Sequence, residues 1–137
     1  MRVLGIDHGT KRVGLAISDE MAMIAQPLDY LDAQPTAKLL SSLCEIITQR
    51  EVGEIVVGLP RNMDGSYGPA AAQVREFAAA LQQVVTVPIK MWDERLTSTQ
   101  ANRVLIQGGV RREQRKLKVD QTAAAILLQS YLDRAGG

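Results

Sequence analysis

The chain has 137 residues, 46% of them hydrophobic and 23% charged, with a formal net charge of +1. This is apolar material for one core and one domain spanning 1–137, and it excludes a global electrostatic pull towards a polyanion, so any nucleic-acid contact must come from local clusters of Lys and Arg. A single cysteine, Cys44, excludes a disulfide framework and a cysteine-based metal site within the chain. No apolar run approaches the ~20 residues a membrane helix needs, and an acid as early as Asp7 does not fit a signal peptide. The expectation is a cytoplasmic protein without membrane contact, a monomer or weak homodimer.

Arg2 to Asp7 is short and apolar, and the polar turn His8-Gly9-Thr10-Lys11 separates it from Arg12 to Ser18. The two runs predict a β-hairpin. Gln26 to Leu31 is a weaker third strand, where Pro27 suits an edge or a strand start. Thr36 to Arg50 carries Leu39, Leu40, Leu43, Ile46 and Ile47 at helical spacing, with Pro35 and Thr36 as start signals. Glu54 to Leu59 predicts a buried strand stopped by Pro60, and Asn62 to Ser66 a loop. Pro69 to Val84 is the clearest helix, with Val74, Phe77, Ala78, Leu81 and Val84 in one stripe. Val87 to Trp92 predicts a further strand, Thr97 to Gln107 a helix ended by Gly108-Gly109, and Val119 to Arg134 the last helix, with Val119, Ala123, Ile126 and Leu127 on its packed side. Strands alternating with helices predict an α/β domain with a mixed sheet of five strands and helices on both faces.

Asp7 closes the first strand, and α/β folds place their sites at the carboxyl ends of strands. Gly9 leaves the backbone clear, and Thr10 and Lys11 add donors suited to a phosphate. Asp93 and Glu94 close a later strand. Adjacent residues of an extended chain point to opposite faces, so at most one of the two can share a site with Asp7. Asp120 opens the last helix and shares part of its apolar face, which requires a partner or a metal. Oxygen-only ligands suit Mg²⁺ or Mn²⁺, and two such ions ~4 Å apart cleave phosphodiesters. His8, the lone histidine, is expected to be a solvent-exposed bystander. Arg111, Arg112, Arg115, Lys116 and Lys118 crowd the approach to Asp120 and are candidates for a grip on the phosphate backbone. Aromatic residues make up only 4% of the chain, which argues against a base-stacking platform.

Four motifs in order resemble those of the YqgF/RuvX family: Gly5 to Ala16, then Val57 to Pro60 with Asn62 to Ser66, then Asp93 to Ser98, then Asp120 to Leu128. The first alone is weak; the set is specific. The resemblance implies a ribonuclease H-like fold related to the RuvC resolvases. It implies a nuclease linked to maturation of the 5′ end of pre-16S rRNA or, on fold kinship, to Holliday junction cleavage. By position it implies an acidic site of Asp7, the Asp93-Glu94 pair and Asp120. The metal ligands would be Asp7, Glu94 and Asp120, with the longer arm of Glu94 slightly preferred over Asp93. Lys11, Arg61, Arg95, Arg111, Arg112 and Arg115 would contact substrate. The RuvC resolvases carry an acid near the end of the fourth strand, where this chain reads Gly58-Leu59-Pro60, so the middle ligand must come from Asp93-Glu94.

Two other classes compete. An actin-like ATPase or sugar kinase opens with a similar Asp-x-Gly-Thr turn but needs two such domains. A non-catalytic module that binds RNA or a ribosomal precursor would use the basic run and leave the acids structural.

Overall fold

The computed structural model describes residues 1–60, 66–93 and 123–136. Strand β1 (Arg2–His8) turns back into β2 (Arg12–Ser18), followed by β3 (Ala25–Asp32), α1 (Thr36–Gln49), β4 (Val52–Leu59), α2 (Pro69–Gln82), β5 (Ile89–Asp93) and α3 (Ala123–Gly136). The sheet order is β3-β2-β1-β4-β5. β1 pairs antiparallel with β2, and β2 with β3, while β1–β4 and β4–β5 are parallel. The mixed five-stranded sheet read from the sequence is the one observed.

Helices cover both faces, which is why β1 and β4 read as continuous apolar runs. On one face Leu4, Ile6, Ile55 and Val57 pack with Leu39 and Leu43 of α1 and Val74, Phe77 and Leu81 of α2. On the other, Val3, Ala16 and Val56 pack with Ala124, Ala125, Leu128 and Leu132 of α3. Helix α2 starts with Gly68 as N-cap and Pro69 at the first helical position, where the missing N–H costs nothing. It ends sooner than its apolar stripe predicts: Val84 lies past the last turn and is 51% exposed. Strand β5 begins at Ile89 rather than Val87. Pro88 has no N–H to give the ladder, although its carbonyl accepts from Ile55 N at 2.9 Å.

The packed side of α3 differs from the expected one. Leu127 is buried as expected, but Ala123 is exposed, and the stripe against the sheet runs through Ala124, Leu128 and Leu132. The cause is in the sheet. A Cβ at Gly5 would lie 2.8 Å from Leu128 Cβ and 3.3 Å from the Ala124 carbonyl oxygen, so the bare backbone of β1 draws the helix down along that line.

Polar ties anchor α3 at its edges. Gln129 accepts from Ala25 N at 2.9 Å and donates to the Met23 carbonyl at 2.9 Å, holding the turn before β3. Trp92 Nε1 donates to Ser130 Oγ at 3.3 Å and its ring meets Tyr131 edge-on. Tyr131 donates to Glu54 Oε1 at 2.6 Å. Burial, then this bond and the charge of Glu54, push the Tyr131 hydroxyl up to about 12. A folded state that favours the neutral phenol gains stability that is complete below the ordinary tyrosine value of about 10 and lost as pH rises towards about 12. Urea unfolding midpoints of Tyr131→Phe and wild type should therefore converge across that window. A constant offset through it would show that the hydroxyl does not titrate as a unit with the fold.

Candidate active site

Side chains of β1 alternate between the two faces. Leu4 and Ile6 belong to the α1–α2 side and Val3 to the α3 side, so Asp7 falls on the α3 face and His8 on the other. Asp7 is half-buried at the carboxyl end of the central strand and pairs with Gly14 of β2. A Cβ at Gly14 would lie 3.7 Å from Asp7 Cβ, 3.6 Å from Ala124 Cβ and 3.3 Å from Tyr30 Cε1. Gly14 is therefore a bare floor between the acid, the first described turn of α3 and an aromatic ring on β3.

The turn that follows Asp7 is tight. Gly9 N donates to the Arg12 carbonyl at 3.0 Å, and a Cβ at Gly9 would come within 2.6 Å of that same oxygen. A side chain there would break the turn that returns β2 alongside Asp7. Lys11 is exposed on this turn, and its carbonyl accepts from Ala33 N at 2.9 Å.

Asp93 ends β5 opposite Leu59. Its neighbour Trp92 packs against the α3 cluster, so alternation sets Asp93 on the α1–α2 face, away from the face of Asp7. Glu94, Arg95, Arg61, Arg111, Arg112, Arg115, Lys116, Lys118 and Asp120 lie outside the described residues, as does the helix expected over 97–107. Among the described residues, no three His, Cys, Asp or Glu side chains cluster as a metal site.

His8 is not the exposed bystander expected from its turn. It is half-buried and stacks on Phe77 of α2, with ring centroids 4.5 Å apart and planes at 26°. Burial holds its imidazole below the ordinary value, against the opposing pull of the Asp7 carboxylate. A cavity of about 400 Å³ opens beside it, lined by Thr10, Gln34, Thr36 and Gln73 among others. It lies on the α1–α2 side, so this cavity and the acid at the strand end are on different faces.

Gly14 and Tyr30 are not singled out by the sequence alone, although a signal exists. Leu28 and Leu31 both pack on the α1–α2 core, yet they are three apart, where a regular strand needs an even spacing. The odd spacing marks the irregularity that the structure shows between Val13 and Leu15.

The RuvX family model, described as Holliday junction resolvase, matches residues 1–134. A protein of Halothermothrix orenii named "Putative pre-16S rRNA nuclease" is 44% identical over 133 residues, covering 97% of this chain and 95% of its own. One of the same name from Moorella thermoacetica is 46% identical over 136 residues, covering 99% and 97%. The solved RuvC structure of Thermus thermophilus superposes with a TM-score of 0.59 at 16% identity, covering 99% of this chain and 97% of its own; at that identity the likeness shows the fold, which is ribonuclease H-like. With sequence likeness running the length of the chain and the sheet order in place, the chain belongs to the RuvX family.

Proposed function

We propose that the protein is a metal-dependent nuclease that hydrolyses phosphodiester bonds in structured nucleic acid, acting in the cytoplasm on the 5′ end of pre-16S rRNA. The observation that carries this reading is the position of Asp7: the carboxyl end of the central strand, over the bare floor of Gly14, with the first described turn of α3 packed beside it through Ala124. The names of the curated relatives support the substrate.

Asp7, Glu94 and Asp120 are the proposed ligands. Two features favour this set. Asp93 stands on the other face of the sheet, which leaves Glu94 as the member of the pair suited to the face of Asp7. In the sequence Asp120 precedes Ala124 by four residues and Leu128 by eight, the spacing at which a helix repeats one face, here the buried face of α3. Carboxylate oxygens are the donors that Mg²⁺ or Mn²⁺ take. The chemistry such ions supply when bound is activation of a water and stabilisation of the leaving oxygen. The role of the chain's own residues is to hold the site and the substrate: the acids fix the ions, while Lys11, Arg61, Arg95, Arg111, Arg112 and Arg115 bind the phosphate backbone.

The test offers precursor rRNA with its 5′ extension and a four-way DNA junction side by side, with Mg²⁺, Mn²⁺ or EDTA. The expected result is metal-dependent shortening of the RNA at its 5′ end. Preferential cutting of the junction would move the substrate to branched DNA, which the family description supports. RNA binding with no cleavage of either would make this a non-catalytic module.

A further inference from the structure

Strand β3 carries a bulge opposite the candidate site. Val13 pairs with Leu31 and Leu15 with Leu28, so Gly14 alone faces two residues, Asp29 and Tyr30. Bulges re-aim side chains, and they recur beside active sites. Here the extra residue lets Leu28 and Leu31 both keep their place on the α1–α2 core. Tyr30, between them, turns to the α3 face, with Cε1 3.3 Å from the Cβ position of Gly14. Asp7 and Tyr30 thus flank the same glycine.

Tyr30 is 41% exposed, a large apolar ring on an edge strand whose other exposed positions are Gln26, Pro27, Asp29 and Asp32. Arg12, exposed at the start of β2, lays its guanidinium 5.3 Å from the centre of that ring. A guanidinium held on a ring keeps its edge donors for a phosphate. The exposed part of the ring is surface on which a base can stack.

We propose that Arg12 and Tyr30 form a nucleotide subsite beside Asp7, in which Tyr30 stacks on a base next to the scissile bond and Arg12 binds the adjoining phosphate. The subsite rests on the reading of the Asp7 face as a nuclease site. It gives a protein of net charge +1 a local grip that does not depend on the basic run at 111–118. A purely structural role, in which the pair seals the bulge, would instead appear as a loss of thermal stability.

The test uses the full chain and its variants Tyr30→Ala, Tyr30→Phe, Arg12→Lys and Arg12→Gln. Binding is read by anisotropy of a fluorescein-labelled single-stranded RNA and a labelled four-way junction, cleavage by steady-state kinetics in Mg²⁺, and folding by thermal midpoint. Tyr30→Ala is expected to raise Kd and KM about tenfold, the loss of one stacked base. Its kcat, Mg²⁺ requirement and thermal midpoint should stay as in wild type. Tyr30→Phe should keep wild-type affinity. Arg12→Gln should make the salt dependence shallower by about one unit of slope, and Arg12→Lys should restore that slope but not the affinity. Wild-type affinity in Tyr30→Ala, or a loss of binding that tracks unfolding, would overturn the subsite while leaving cleavage that depends on Asp7 untouched. Wild-type protein that binds but never cleaves would overturn the nuclease reading, and a tenfold loss in Tyr30→Ala would then still support the nucleotide contact.

Discussion

Replacing Asp7 with Asn should abolish cleavage and leave the fold intact. Asn keeps the shape of the side chain, its place in the β1–β2 pairing opposite Gly14, and its half-buried setting; it loses only the charge that would hold a divalent ion in the proposed site. Metal stabilisation of the transition state contributes several kcal/mol, so the rate should fall by about a thousandfold or more. The measurement is a single-turnover assay in saturating Mg²⁺ with the thermal midpoint recorded alongside. Retained cleavage would remove Asp7 from the chemistry and favour a binding module whose acids are structural. Lost cleavage with a collapsed midpoint would place Asp7 in folding instead.

The second large effect is on stability. Gly5→Ala puts a methyl 2.8 Å from Leu128 Cβ and 3.3 Å from the Ala124 carbonyl oxygen. Neither obstacle is the end of a flexible side chain, so α3 must lift off the sheet. Overpacking of this kind costs about 1–3 kcal/mol, and each kcal/mol lowers the thermal midpoint by roughly 2–8 °C for domains near this size. Leu128→Ala should not rescue the variant, because the clash is with the Cβ that alanine retains; it should add a cavity in place of a side chain that is fully buried. Gly14→Ala is the internal control. Its new methyl would meet Tyr30 at 3.3 Å and its other neighbours at 3.6 Å and beyond, and the half-exposed ring of Tyr30 can give way. A Gly5→Ala midpoint equal to that of Gly14→Ala would mean that α3 does not sit as closely on β1 as described.

The strands and helices that build the sheet were legible because their patterns are local. Val3, Leu4 and Ile6, and Ile55 to Val57, are continuous apolar runs of a strand covered on both faces, and the helical spacing of Leu39 and Leu43 survives in the core. Asp7 at the end of the first strand follows from the same patterns. What failed was set by tertiary contact. The last helix, read as an isolated amphipathic segment, buries Leu127 as expected but leaves Ala123 exposed; the absence of a side chain at Gly5, far away in sequence, brings Ala124 inward. His8 belongs to a polar turn by sequence, but strand alternation places it against Phe77, which nothing local reveals. The odd spacing of Leu28 and Leu31 was visible, yet only the pairing with β2 shows that it re-aims Tyr30. A low aromatic content, sound as a global statement, says nothing about where one ring stands.

The proposed placement of an acidic metal site on the α3 face is tested with Mn²⁺ added at substoichiometric levels to ¹⁵N-labelled protein, following paramagnetic broadening of the backbone amides. The amides of Asp7, Gly14 and Ala124 should broaden first, since all three border the same floor, and Asp7→Asn should abolish the effect. Broadening centred on Leu39, Gln73 and Phe77, which line the cavity on the opposite side of the sheet, or broadening that persists unchanged in Asp7→Asn, would contradict a metal site at Asp7.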